Sequence, residues 1–591
     1  MPPKRPHFGC NRLKSLRPTP DFQRKHMGTR HYFLSLIFQQ IHAFIIGMYV
    51  RTIKRKNKDG SVVEYVQLAH NEWNQEKGFA QAKVLYSFGR RENLDLEAIK
   101  RLVKSLCRFL SPQDAVQAQQ DLDGPSALRF VRSRPAGGAY LLKGLWDQLH
   151  IGECLSAAVK KREFTTPIQE AIFAMVANRA LDPSSKLAIE QWACDEVYLG
   201  HEHSFQVQHF YRAMDFLLEH ADKIQEEVFR STANLLNLTV DLIFFDTTNT
   251  YFQSEDPGES ELKAYGKSKD KRDDLPLVTI GLAVTREGIP VRCRVLAGNQ
   301  HDAKSVEQVQ RDLNSWKLGR VVWVMDRGMC GQHNRRILQK AGGQFILGEK
   351  LRGNHFNEQA LNRGGRFKVI NDKMHIKEVL IEEGSLKRRY VIVYNPEQAK
   401  HDRMVREQLL ERLRCELQAL NTQKAKCGVL LHPSMKRYVK ELKSGKLKIN
   451  RTRVKEEEKL DGKYLLSTSD PSLSSEDIAL GYKQLMEVER AFRTLKTTLS
   501  LRPMYHSKDD RIRSHVLLCW LALLLVRTAE RKTGISWPRI RREMQRVHLG
   551  EFLNKKHRVL RHTELTADQR NILKNLQIKP PKSVLDISLT P

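Results

Sequence analysis

The sequence predicts an α/β fold in which a mixed five-stranded sheet carries helices on its faces. Three observations predict it. Two continuous apolar runs, "LIFFD" (242–246) and "VVWVMD" (321–326), read as strands buried on both faces. Between them, "LPLVTIGLAV", the turn "TREG" and "IPVRCRVLAG" (275–298) read as a hairpin. Helical periodicity over 301–316 and 330–342 then alternates with "RVVWVMD" and "QFILGEK", so a three-strand meander is followed by helix, strand, helix and strand.

The flanking elements follow in chain order. Residues 1–47 mix Pro, Arg, Lys and His with a polar-broken apolar run and are expected to be a non-native or disordered extension. At Met48 the pattern changes: "MYVRTIKRKNKDGSVVEYVQLAH" gives a small β-hairpin region over 48–90, with Lys-Asp-Gly in its turn. Helical periodicity dominates 91–235, where Leu96, Ile99, Leu102, Val103 and Leu106 form an apolar stripe. This block is the candidate DNA-binding domain, although helix pairs with short turns are also common scaffold. The sheet begins within 236–350. Beyond it, 351–465 has its own hairpin, "KEVLIEEGSLKRRYVIVY", a helix and a returning strand, "DGKYLLSTSD", and reads as an inserted domain. A helix-rich stretch over 466–535 and a C-terminal tail over 536–591 complete the chain.

Composition narrows the partners. Lysine and arginine total 100 against 68 acidic residues, a formal charge of +32, so a polyanion is favoured and nucleic acid leads. The nine cysteines include no C-x-x-C pair and no Cys/His cluster at zinc spacing. That argues against a zinc module or disulfide scaffold and for free thiols in a reducing cytosol. "HVLLCWLALLLV" (515–526), bracketed by Arg513 and Arg527, falls short of the roughly 20 apolar residues of a membrane span and is expected as a buried core helix.

A carboxylate closes each of the two apolar strands, Asp246 and Asp326. Functional groups in such sheets stand past strand ends, where the backbone opens to solvent; an aspartate there is also an ordinary turn former. With the first and fourth strands side by side, the two tips converge within reach of one hard cation, Mg²⁺ or Mn²⁺. Thr247, Thr248 and Asn249 are expected in the loop that follows. A third carboxylate lies on the helix predicted over "SSEDIALGYKQLMEVERAFRTLK" (474–496), capped by Ser474 or Ser475. Helical angles place Tyr482, Glu489, Arg493 and Lys496 along one side of it, and Glu489 and Arg493 also form an ordinary i, i+4 surface pair. Asp241, Asp273, Asp274 and Glu487 are the rival carboxylates.

These motifs together resemble the DDE transposases of bacterial insertion sequences, the cut-and-paste group with a Tyr-x2-Arg-x3-Glu-x6-Lys motif. Tyr482, Glu489 and Lys496 match that motif, whereas Leu485 stands at its Arg position and leaves the phosphate-contacting role to Arg490 or Arg493. "DTTNTYF" and "MDRGMCG" resemble the family's first and second acidic motifs, and the likeness covers roughly residues 48–530. It implies an RNase H-like core, an insertion before the Glu helix, Asp246, Asp326 and Glu489 as ligands of two Mg²⁺ ions, with Mn²⁺ as a substitute, and Tyr482, Arg490, Arg493 and Lys496 as the residues that meet DNA. It further implies double-stranded DNA with terminal inverted repeats and a target DNA as partners, a homodimer in the paired-end complex, and a cytoplasmic, nucleoid-associated location. A metal-dependent nuclease without strand transfer and an inactive DNA-binding relative are the alternatives. Because the motif-bearing pattern starts at Met48, a protein beginning there is expected to fold, bind DNA and cleave it; a truncated chain that no longer folds would place 1–47 in the native structure.

Overall fold

The structure, a computed structural model, describes residues 47–58, 60–74, 78–111, 128–159, 167–201, 204–236, 241–300, 302–316, 321–340, 342–383, 386–418, 432, 434–554 and 557–589. Nearly all of the expected N-terminal extension lies outside them. Two compact units divide the chain, 1–127 and 128–591.

The first unit contains three antiparallel strands, β1 (Met48–Lys56), β2 (Val62–Asn74) and β3 (Phe79–Arg90), in that order. The expected hairpin is β1–β2. Its turn closes on Gly60, whose φ of 85° suits glycine. The helix Leu96–Leu106 follows, and Leu96, Leu102 and Leu106 of its apolar stripe are exposed.

The second unit opens with β4 (Arg129–Pro135) and a block of helices, among them Ile168–Leu181, Val207–Glu219 and Ala221–Leu236. The strands expected from the sequence then appear in order: β5 (Leu242–Tyr251), β6 (Leu277–Thr285), β7 (Pro290–Ala297), β8 (Val322–Met325) and β9 (Gln344–Glu349). They lie side by side as β7-β6-β5-β8-β9. β5, β8 and β9 are parallel, and β6 is antiparallel to both of its neighbours.

Five strands are not the whole sheet. β10 (Lys368–Asn371), β11 (Met374–Glu383) and β12 (Leu386–Tyr394) form a meander, β13 (Val439–Glu441) and β14 (Leu447–Ile449) form a separate hairpin, and β15 (Lys463–Thr468) returns to pair antiparallel with β9. The result is one nine-stranded sheet, β10-β11-β12-β15-β9-β8-β5-β6-β7, which corrects the expected count of five. The reason lies in the open edge of β9: its main-chain groups need partners, and β15 supplies them. Nothing in the local pattern of 463–468 specifies that long-range pairing. β16 (His548–Leu553), β17 (His557–His562) and β18 (Val584–Leu589) join β4 in a second sheet, so the stretch read as a tail is folded. Its strands are six residues each, and β17 is rich in His and Arg, which hides its alternation.

Two cores sandwich the large sheet around β5, β8 and β9, and a third, smaller one packs on β11, β12 and β15. Leu242 and Phe244 of β5, Val322 and Val324 of β8 and Ile346 of β9 face a core shared with the helices Ser475–Lys483, Met486–Arg493 and Asp509–Thr533. Ile243, Phe245, Trp323, Met325 and Leu347 face the other, against the helices Asp302–Ser315 and Gln332–Lys340. Burying each of Phe244 and Phe245 contributes about 1.5–3 kcal/mol by transfer. A one-residue slip would exchange the faces, so these two side chains also fix where Asp246 points. The helix Asp509–Thr533 is long and apolar enough to cross a membrane, and 89% of its apolar window is buried inside the protein. It packs on the helices Ile168–Leu181 and Val207–Glu219 and on β7. Cys154, Cys194, Cys293, Cys330, Cys415 and Cys519 are free thiols.

Candidate active site

Strand register places the first two carboxylates. Leu242 sits opposite Val322, and Phe245 opposite Met325, on parallel neighbours. The next residue on each chain is Asp246 and Asp326. β8 ends there, and Asp326 leads into a short 3-10 turn, Arg327–Met329. β5 does not end: it runs on to Tyr251, still paired with β6. The expectation that Asp246 stands past the end of its own strand is therefore corrected. What opens the site is the end of its neighbour. Along β5 only Asp246 and Tyr251 are not fully buried; Thr247, Thr248 and Asn249, expected in a loop, are strand residues.

Side-chain alternation carries Asp246 to the same face as Phe244, beneath the two helices that follow β15. The Lys269 ammonium lies 3.6 Å from Asp246 Oδ1 and donates to the Thr247 carbonyl. Asn249 holds the loop that delivers it: Lys269 N–H donates to Asn249 Oδ1 at 2.9 Å, and Asn249 Nδ2 donates to the Lys267 carbonyl at 2.9 Å.

Asp326 is oriented from the helix Ser475–Lys483. Tyr482 Oη donates to Asp326 Oδ1 at 2.9 Å. The ring stacks on Tyr464, with centroids 5.9 Å apart, and lies close against Gly348 of β9. A Cβ at Gly348 would overlap the Tyr482 hydroxyl and stand 2.9 Å from its Cζ. Burial first, and then the Asp326 carboxylate, push the Tyr482 hydroxyl well above its ordinary range, which keeps the proton on the phenol for donation.

The single helix expected over 474–496 is two. Ser474 caps the first, accepting from Asp477 N–H at 3.0 Å, as its position suggested. After Lys483 the backbone tightens: Leu485 N–H donates to Tyr482, Glu487 to Gln484 and Val488 to Leu485, all i to i+3 bonds. A second helix, Met486–Arg493, follows, and then a π turn, Thr494–Thr498. Tyr482 and Glu489 thus lie on separate helices, so a constant 100° step no longer relates them. The second helix packs over β5 and β6. Glu489 is exposed there, and its side chain has no hydrogen bond or ion pair among the described residues.

The rivals are engaged elsewhere. Glu487 takes Arg527 and Arg490, each at 2.6 Å; Asp241 pairs with Arg286 at 3.0 Å; Asp274 pairs with Arg272 at 2.8 Å; Asp273 accepts from Ser268 N–H at 2.6 Å. Of the cations expected to meet DNA, Arg490 is held by Glu487. Lys496 is held by Asp270 at 3.1 Å, beside Arg502 at 2.7 Å. Burial alone would raise the Asp270 carboxyl, but Lys496 and Arg502 outweigh it and hold the group below its ordinary range. Arg493 is exposed, with no side-chain partner among the described residues. The sequence reading missed Lys269, Asp270 and Gly348; the only signal for the first two was the run "GKSKDKR".

Among the described residues no three His, Cys, Asp or Glu side chains are drawn into one metal-binding group. Asp246 and Asp326 stand at neighbouring register positions, and Glu489 lies on a helix over the same sheet face. The donor set is all carboxylate oxygen, which suits a hard divalent cation. Lys269 already supplies positive charge beside Asp246.

The positive charge and the carboxylates on adjacent parallel strands fit an enzyme that acts on DNA. Comparison with protein families makes that specific: the transposase DDE domain matches residues 241–525, and the IS1634 family transposase N-terminal domain matches residues 50–118. The chain belongs to the DDE transposases of insertion sequences, a family that generally depends on a divalent metal. No curated protein matches it.

Proposed function

We propose that this transposase cuts DNA at the ends of its element and joins the freed 3′ ends to a target, with Asp246, Asp326 and Glu489 as its acidic triad. The observation that carries this reading is the β5–β8 register, which sets Asp246 beside Asp326 under the Glu489 helix. Two Mg²⁺ ions, or Mn²⁺ in their place, held by these three carboxylates would supply Lewis acidity toward the attacking and leaving oxygens of an in-line phosphoryl transfer. Tyr482 fixes one Asp326 oxygen and leaves the other free to ligate. Lys269 balances Asp246 until a cation arrives. Arg493 is placed to meet a DNA phosphate, whereas Arg490 and Lys496 reach one only by exchanging Glu487 and Asp270 for it.

The order β7-β6-β5-β8-β9 supports reading the core as RNase H-like, with 351–465 inserted before the Glu helix and the helices between β4 and β5 as the DNA-binding block. The substrates are then element ends with inverted repeats and a target duplex, processed by a paired-end homodimer. Incubation with linear DNA bearing those ends and Mg²⁺ tests the reading: nicks followed by joined products are expected. Nicks without joining would reduce the enzyme to a nuclease, and a gel shift without cleavage would reduce it to a binder.

The charge of +32 makes a second expectation. A protein that neutralises six or more phosphates loses roughly 10³-fold or more in affinity between about 50 and 200 mM salt, because condensed counterions are released on binding. End-DNA binding should fall that steeply. A flat salt dependence would assign the charge to another partner.

A further inference from the structure

We propose that the β13–β14 hairpin is a separate clamp for the phosphate backbone of duplex DNA. Val439 pairs across it with Ile449, Lys440 with Lys448, and Glu441 with Leu447. Val439, Leu447 and Ile449 pack on a small core of Leu413, Met435 and Tyr438, so alternation turns Lys440 and Lys448 together to the opposite, solvent face. Lys443 and Lys446 stand in the connecting turn, which closes through Leu442 N–H to the Lys446 carbonyl at 2.9 Å. All four lysines are exposed.

Like charges placed directly across a ladder are destabilising, and among the described residues no carboxylate pairs with these. None of the four lysines has an ion pair among the described residues, while Arg437 and Arg453 close by are taken by Glu457 at 3.5 Å and Glu456 at 2.8 Å. Arg437 and Arg453 are thus neutralised internally, whereas the hairpin's lysines, with Lys436, Arg451 and Lys455 on either side, are without an ion pair among the described residues. The enzyme's substrate is a polyanion carrying one charge per roughly 1.7 Å of axis. Lysine ammonium groups on flexible stems act as point charges, and contacts to phosphate position a protein on DNA without reading its sequence. The clamp therefore serves any duplex, element end or target alike, and acts independently of the carboxylate triad.

The test is the salt dependence of duplex binding by the full-length chain, comparing wild type with Lys440→Gln/Lys443→Gln/Lys446→Gln/Lys448→Gln. Each lost phosphate contact lowers the slope of log K against log [salt] by about 0.9. The quadruple variant should lose about 3.6 from the slope on random-sequence and end DNA equally, so its affinity loss between about 50 and 200 mM salt is roughly 100-fold smaller than that of wild type. Arginine at all four positions should keep the slope. Cleavage per bound complex should be unchanged, which separates this result from a failure of the triad. Lys443→Gln/Lys446→Gln, confined to the exposed turn, should lose about half as much and decides the matter should the quadruple variant not fold. An unchanged slope overturns the proposal, as does a loss confined to end DNA.

Discussion

Asp246→Asn is expected to fold and bind DNA as wild type does while strand cleavage falls by roughly three orders of magnitude or more. The amide keeps the shape of the side chain and removes the charge that a cation needs. Folding survives because Phe244 and Phe245, which set the register of β5, are untouched, and because Asp246 is the one interior position of that strand left partly open. Asp326→Asn and Glu489→Gln should behave alike. Members of a site that works as a unit are grossly non-additive, so double variants should be scarcely worse than single ones. Substituting Asp273 or Asp274 should leave cleavage intact, since each already has a structural partner. Normal cleavage by Asp246→Asn, beside dead Asp273 or Asp274 variants, would mean that the wrong carboxylates were chosen. Single-turnover cleavage of end DNA, with a gel shift as the binding control, makes the measurement.

Gly348→Ala carries the second largest effect. The methyl group would occupy the space of the Tyr482 hydroxyl, so the ring must tilt off β9 and release Asp326. Overpacking of this kind costs about 1–3 kcal/mol of stability, and a misplacement of about 1 Å at a reacting centre costs on the order of 10²-fold in rate. Tyr482→Phe separates the two consequences. It keeps the stacking on Tyr464 and removes only the hydrogen bond, so it should melt as wild type does and cleave roughly tenfold more slowly, the worth of one such bond. Thermal melting and cleavage rates of both variants check this. Wild-type cleavage by Gly348→Ala would show that the Tyr482–Asp326 bond plays no part in catalysis.

Local pattern made the sheet legible and long-range pairing limited it. "LIFFD" and "VVWVMD" announce buried strands because both faces are apolar, and Ser474 announces a cap because its side chain has a backbone N–H to satisfy. The role of β15 was hidden: a strand that joins a distant edge looks like any other half-buried strand. The site divided the same way. Asp246 and Asp326 were visible as lone carboxylates beside apolar runs, yet the strand end that exposes them belongs to β8 and not to β5, and sequence alone cannot say which neighbour stops first. The tightening after Lys483 has no proline to mark it, and Gly481, whose carbonyl accepts from Gln484 N–H at 3.0 Å, lies inside the first helix. Gly348 was invisible because its reason is a tyrosine more than a hundred residues away. A similar distance separates Tyr482 from Asp326, so the hydrogen bond between them is likewise absent from the local pattern.

Binding of Mn²⁺ to the DNA-bound protein, followed by the electron paramagnetic resonance of the free ion, tests the acidic triad most directly. About two ions per active site are expected for wild type, with loss of binding in Asp246→Asn, Asp326→Asn and Glu489→Gln and none in Glu487→Gln. Wild-type binding in all three triad variants, or loss in Glu487→Gln while Glu489→Gln binds normally, would contradict the assignment.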